Sequence, residues 1–230
     1  VPETLPLFPL QTVLLPGTPL PLHIFEPRYR QLTVDLMTGT VPDKRFGVIA
    51  LAPSQDVEVT SCAQLQPVGC AALLRQAERL PDGRFEIVSM GEQRFRLLAV
   101  DSSSKPYLLG AIEWLPDTPA VLPGKLDLRD TIATLADSAR AAYRRYCHAA
   151  WQQGDWTEPD DDIEVAELAH QLAGDCLLPL EDRQRLLEET RPLHRLRLVG
   201  RMLNREAGIL AALRAVPAPP TELRRPTSMN

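Results

Sequence analysis

The sequence predicts an α+β fold in which a β-rich first lobe is followed by a helical second lobe. Residues 1 to about 115 hold short apolar runs broken by Pro and Gly. Residues from about 125 to 215 carry apolar side chains at three- and four-residue intervals with almost no such breaks. Between them, Pro116 to Gly124 contains three prolines and one glycine in nine residues, a composition suited to a connection. Strand-type punctuation that gives way to helix-type periodicity separates two layers of structure. The expected organisation is therefore a β-rich lobe over 1–116, a linker over 117–124, a helical bundle over 125–215 and a tail over 216–230.

In the first lobe, Leu20 to Phe25 and Phe46 to Leu51 are apolar runs bounded by Pro, Gly or charge, as buried strands are. Glu26-Pro27 then marks a helix start, because proline fixes a helical φ and lacks only an N–H that the first turn does not use. Glu26 is expected to cap that helix, which should run from Pro27 to about Met37 with Tyr29, Leu32 and Leu36 inward. Pro81-Asp82-Gly83 is a turn signature between Val68–Leu80 and Phe85–Met90. The Ala-Ala-Leu-Leu stretch upstream favours helix by propensity, yet pairing across the turn favours strand. Arg94 to Val100 and Tyr107 to Leu115 supply further strands, for a total of at least five or six.

In the second lobe, Leu128, Ile132, Leu135, Ala139, Ala142 and Tyr146 mark the inner face of a long helix, and Arg129, Asp130, Arg140 and Arg144 its outer face. Seven acids between Asp155 and Glu167 crowd a second helix expected after Pro159, where negative charge suits the helix dipole. Asp160-Asp161-Asp162 lacks the alternating ligands and the Gly of a calcium loop. A short helix is expected from Leu180 to about Glu189. A last one begins near Pro192, with Leu193, Leu196, Gly200, Leu203, Ala207 and Leu210 forming a packed seam.

Composition narrows function. A net charge of -5 gives no overall field for nucleic acid or an anionic membrane. No apolar run reaches the roughly 18 to 20 residues that span a bilayer, and Val1-Pro2-Glu3 lacks the basic start of a signal peptide, so a cytoplasmic location is expected. Cys62, Cys70, Cys147 and Cys176 form no zinc-type pair and read as buried thiols. Cys147 and His148 are adjacent, and neighbours on a helix do not face each other.

Leu5-Pro-Leu-Phe-Pro-Leu10, then Val13-Leu-Leu-Pro-Gly17 and Leu20-Pro-Leu-His-Ile-Phe-Glu-Pro-Arg-Tyr-Arg30, resemble the opening of the Lon protease amino-terminal domain. Phe46-Gly47-Val48, Val68-Gly69, Asp82-Gly83-Arg84 and Gly91-Glu-Gln-Arg-Phe-Arg96 follow in that family's order, and Gln184-Arg-Leu-Leu-Glu188 is similar to its helical half. The resemblance implies a PUA-like, highly curved six-stranded sheet or pseudo-barrel with one short helix, followed by about four helices. It also implies a substrate-recognition role without catalysis. No Gly-x-x-x-x-Gly-Lys-Ser/Thr loop is present to cradle ATP, and the family's Ser-Lys peptidase region has no counterpart. The expectation is a stand-alone protein-binding module, not an enzyme, with no cofactor or metal, for which a separate protease or ATPase would supply unfolding and cleavage.

The candidate binding residues are His23, Glu26, Arg28 and Tyr29, where a strand passes into a helix, together with Arg94 and Arg96 on one strand face. Structural roles compete at each: capping for Glu26, ion pairing for Arg28, packing for Tyr29, and simple solvation of the Arg94/Arg96 face. Trp114, Trp151 and Trp156 are candidate aromatic anchors for a peptide. The expected partners are protein or peptide clients. RNA or small-ligand binding is the alternative, prompted by the PUA-like lobe and by seven arginines from Arg183 to Arg205. Five acids lie in or beside the same region, however, and no aromatic lies among the arginines for base stacking. A small-molecule enzyme is the third possibility, but no HExxH or Gly-x-Ser-x-Gly pattern organises the four histidines.

Overall fold

The computed structural model describes residues 3–52, 59, 61–118, 128–151 and 155–213. The expected tail and most of the expected linker lie outside these residues. The chain divides into two compact units, the first made of Val1–Pro116 with Arg183–Thr190, the second of Asp117–Asp182 with Arg191–Asn230.

The first unit is built on six strands: β1 (Glu3–Leu10), β2 (Pro19–Ile24), β3 (Arg45–Ala50), β4 (Val68–Arg79), β5 (Phe85–Asp101) and β6 (Leu109–Trp114). One helix, α1 (Pro27–Thr38), lies between β2 and β3. The sheet order is β2-β5-β4-β3-β1-β6, with β1 and β3 parallel and the other pairs antiparallel. An additional β5–β6 pairing closes the sheet on itself, giving the curvature that the resemblance implied. Closure depends on the length of β5. Its first half pairs with β2 and β4, its second half with β4 and β6, and register shifts at Cys70/Ala72, Leu74/Gln76 and Leu97/Ala99 bend the ladder.

Two expectations are corrected here. Phe85–Met90 and Arg94–Val100 belong to one 17-residue strand and not to two, because Gly91 continues the ladder opposite Ala72. The Leu20–Phe25 run is an edge strand of alternating exposure and not a buried one. The Val68–Leu80 region is indeed a strand, and Gly83 takes the positive φ of 82° that its turn requires.

Two prolines hide β1 from sequence patterns, since proline inside a sheet removes a donor. The Leu7 N–H points to Leu108 O on the β6 side, so alternate nitrogens face alternate neighbours. Pro6 nitrogen faces the β3 side, where pairing starts only at Leu7, and Pro9 nitrogen faces the β6 side, where the register ends at Pro6. Each missing donor thus falls just outside the ladder on its side.

Inside the sheet, Leu5, Leu7, Ile49, Leu65, Ala71, Phe95, Leu108 and Ile112 form the core. Phe95 fills space left by two glycines: a Cβ at Gly47 would lie 2.8 Å from its ring, and one at Gly69 2.4 Å. Tyr29 of α1 stacks on Phe8 of β1 at 3.9 Å between ring centroids. Tyr107 donates its hydroxyl to Asp35 of α1 at 2.7 Å, and burial, then that carboxylate, push its pKa up.

The second unit contains α2 (Leu128–Ala150), α3 (Val165–Gly174), the start of α4 (Leu180–Glu188) and α5 (Pro192–Leu213). The predicted α2 positions Ala139, Ala142 and Tyr146 are buried, as are Leu196, Leu203 and Ala207 of the α5 seam. Arg140 is not on the outer face of α2 as expected. It is buried, and it donates to Pro159 O at 2.5 Å and Asp160 O at 2.6 Å. Arg144 grips Glu158 at 2.9 and 3.0 Å. The acidic segment therefore anchors α2 arginines, and α3 starts only at Val165 with no side-chain capping bond from Glu164.

Residues 183–190, expected within the helical bundle, belong to the first unit. Periodicity reveals that a helix has an apolar face but not what that face meets. Here Arg183 donates to Val13 O at 3.2 Å and Gln184 to Val68 O at 3.1 Å, with Leu186 and Leu187 buried.

Candidate functional site

A cluster of polar side chains in the first unit forms where β2 runs into α1. Cross-strand register places His23 opposite Glu86, and their side chains meet at 2.6 Å. The other His23 nitrogen, Nε2, receives Arg84 at 3.1 Å. A guanidinium only donates, so that geometry assigns the ring proton to Nδ1, which donates to Glu86. Arg84 is also held by Asp82 at 2.6 Å, and this bond lowers the Asp82 pKa. Hairpin and edge strand are thus tied by an exposed chain of charges.

Beside this chain, Phe25 projects into solvent with 62 % of its surface exposed, its ring centroid 6.4 Å from that of His23. Arg30, Val34 and Met37 then recur at four- and three-residue spacing, which places them on one face of α1. Val34 and Met37 are themselves exposed. Such apolar side chains cost solubility and supply the area that binding energy needs.

The predicted residues separate by role. Glu26 does not cap α1 with its side chain; it instead accepts from Arg28 Nε at 2.9 Å. Arg28 also lies 4.8 Å from the Tyr29 ring centroid. Tyr29 is buried, and burial raises its pKa, so it packs and does not face a ligand. Arg94 and Arg96 do not share a solvated face as expected. Arg96 is exposed, whereas Arg94 is buried and donates to Leu187 O and Glu189 O, both at 2.9 Å. A strand's two-residue period gives direction but not what covers it, and helix α4 covers Arg94. Arg94→Met is expected to cost about 2–3 kcal/mol by urea denaturation, since two carbonyls lose a charged donor, while Arg96→Ala should stay within about 0.5 kcal/mol.

The tryptophans are half-buried structural residues. Trp114 donates to Glu3 at 2.7 Å, Trp151 packs edge-on against Tyr146, and Trp156 packs against Tyr143 and His148. Sequence reasoning missed Phe25, Val34 and Met37 as candidate anchors. Their signal was present as apolar residues at the N′ position and on the outer face of an otherwise polar helix side.

Burial pushes the Cys70 thiol up to about 12 and the Cys147 thiol up to about 11, so neither is poised as a nucleophile at neutral pH. Among the described residues, no group of three His, Cys, Asp or Glu side chains is placed to hold a metal ion. No described helix is long and apolar enough to cross a membrane.

The model of the ATP-dependent protease La (LON) substrate-binding domain matches residues 4–205. The chain belongs to the Lon substrate-binding domain family. Among curated proteins, this Lon domain is 29 % identical over 214 residues to the Lon protease of Anaeromyxobacter dehalogenans, covering 91 % of the chain and 24 % of that protein. It is 27 % identical over 212 residues to Lon protease 1 of Thermus thermophilus, covering 88 % of the chain and 24 % of that protein. The Lon domain thus spans about a quarter of the length of these relatives. Its fold is shared by a Lon N-terminal domain protein of Xanthomonas campestris, with a TM-score of 0.57, 23 % identity and coverage of 85 % of this chain and 95 % of that one. It is also shared by the N-terminal domain of Mycobacterium avium complex Lon protease, with a TM-score of 0.61, 19 % identity and coverage of 87 % and 98 %.

Proposed function

We propose that this Lon substrate-binding domain recognises unfolded or regulatory client proteins through the apolar surface that begins at Phe25 and continues over Val34 and Met37. The observation that carries the proposal is the exposure of Phe25, a large aromatic directly before α1 that the fold leaves uncovered among the described residues. His23, Glu26 and Arg28 border it with groups that hydrogen-bond a peptide backbone or pair with charged client residues. Their roles are to orient a client, while Phe25 supplies most of the binding energy. Arg96 lies on the second half of β5, opposite Glu113 of β6, and contributes at most an accessory charge. Transfer of clients to a separate ATPase or protease in the cytoplasm is part of the same proposal, supported by the Lon proteases in which the matched region is about a quarter of the protein.

A reduced, alkylated protein that stays unfolded in buffer serves as the probe. It is expected to bind with a dissociation constant of tens of micromolar or tighter by fluorescence anisotropy, and Phe25→Asp should weaken it about thirtyfold without lowering the melting temperature. Equal binding by the variant, or no binding by the parent chain, would refute the reading.

A further inference from the structure

Helix α5 carries a glycine that its packing does not require. Gly200 sits mid-way along a 22-residue helix, where glycine costs about 1 kcal/mol relative to alanine. A Cβ at that position would lie 3.7 Å from Ala139 Cα, an ordinary contact, so an alanine would fit against α2. What the absent side chain leaves open is a groove of about 270 Å³ between α2 and α5, lined by Leu135, Ser138, Leu196, Arg197, Gly200, Arg201 and Asn204.

This groove has an apolar floor and a cationic rim. Leu196 is buried and Leu135 half-buried beneath it, while Arg197 and Arg201 are exposed. The neighbouring arginines are already engaged: Arg195 with Asp117, Arg144 with Glu158, Arg205 with Asp182 and Glu206, and Arg145 with Asn204 at one end of the groove. Among the described residues, Arg197 and Arg201 have no side-chain partner and the lining contains no acid. In a protein of net charge -5, two guanidiniums held over apolar ground are a local exception.

We propose that the α2/α5 groove is a docking site for an acidic amphipathic helix of a partner protein. Arg197 and Arg201 are four residues apart, about 6 Å along the helix axis, which is the rise between carboxylates at i and i+4 of a partner helix. Guanidinium forks pair with carboxylates in two parallel bonds, and an apolar partner side chain between those carboxylates would seat over Gly200. A nucleic acid fits less well, because the described lining has no aromatic on which a base would stack. This surface lies in the second unit and shares no residue with the Phe25 surface.

The test uses the full chain and three labelled probes: a peptide of Leu and Glu at helical spacing, its Leu and Lys counterpart, and poly(U). By fluorescence anisotropy the Leu/Glu peptide is expected to bind saturably at low salt and the Leu/Lys peptide not to bind. Arg197→Gln with Arg201→Gln should weaken binding about tenfold. Gly200→Leu should abolish it, and Gly200→Ala should retain it while melting at or above the parent temperature. A leucine at 200 can disturb the helix pair by itself, so the surface arginine variants decide the matter. Phe25→Asp should leave this binding intact; if it removes binding, the peptide sits on the first unit and the proposal falls. Equal binding of both peptides, preference for poly(U), unchanged binding by the arginine double variant, or no saturable binding would each overturn it.

Discussion

Gly69→Ala is expected to destabilise the first unit by about 3 kcal/mol and to lower the melting temperature by on the order of 10 °C. The new Cβ would stand 2.4 Å from Phe95 Cζ and 2.6 Å from Val48 O, distances at which either the ring or the backbone of β3 must move. The ring cannot retreat easily, because Phe95 is fully buried and the same Cζ also abuts the space reserved at Gly47. Phe95→Leu alone should cost about 2 kcal/mol through lost packing. Combined with Gly69→Ala it should cost clearly less than the sum, since the shorter side chain relieves the clash with the ring but not that with Val48 O. Chemical denaturation of the two single variants and the double variant measures this coupling. Strict additivity would mean that the glycine and the ring do not depend on each other.

Arg195→Met is expected to cost about 3 kcal/mol and to unfold the second unit at lower urea than the first. The side chain of Arg195 is 1 % exposed and grips Asp117 by two bonds of 2.6 Å, with a third bond of 2.5 Å to Ala166 O. Methionine fills similar volume but leaves the carboxylate and the carbonyl without that donor. Arg195→Lys keeps the charge yet cannot reproduce the paired bonds, so it should fall between the two. Trp151 and Trp156 belong to the same unit, and their fluorescence reports its unfolding. A methionine variant as stable as the parent would show that this buried ion pair only breaks even with an apolar replacement.

Both effects reside in residues whose environment the sequence could not display. Val68-Gly69 and the Gly91-to-Arg96 stretch marked a family resemblance, but nothing in their spacing says that Phe95 enters the space beside Gly69. Arg195 falls one position before a seam leucine, and nothing in that spacing marks it as buried. Only the fold encloses it and brings Asp117 to it from 78 positions away. Arg94 and Arg140 follow the same logic: each looks solvent-facing by periodicity and each is buried, Arg94 by a helix 93 positions away and Arg140 by the segment that follows α2. The candidate site divides in the same way. His23, Glu26 and Arg28 were legible because polar groups clustered at a strand-to-helix passage. Phe25 was not, because exposure of an aromatic depends on which elements fail to cover it.

By itself the sequence determined what local chemistry controls. It specified the α+β division, the Pro27 helix start, the Gly83 turn and strand pairing across it, and the inner faces of α2 and α5, all set by backbone preferences and short-range periodicity. The tertiary structure alone decided closure of the sheet through β5 and β6, the tolerance of Pro6 and Pro9 in β1, the assignment of residues 183–190 to the first unit, and the burial of Arg94, Arg140 and Arg195. Those outcomes depend on which surfaces meet, and burial is a property of pairs of elements that no single segment encodes.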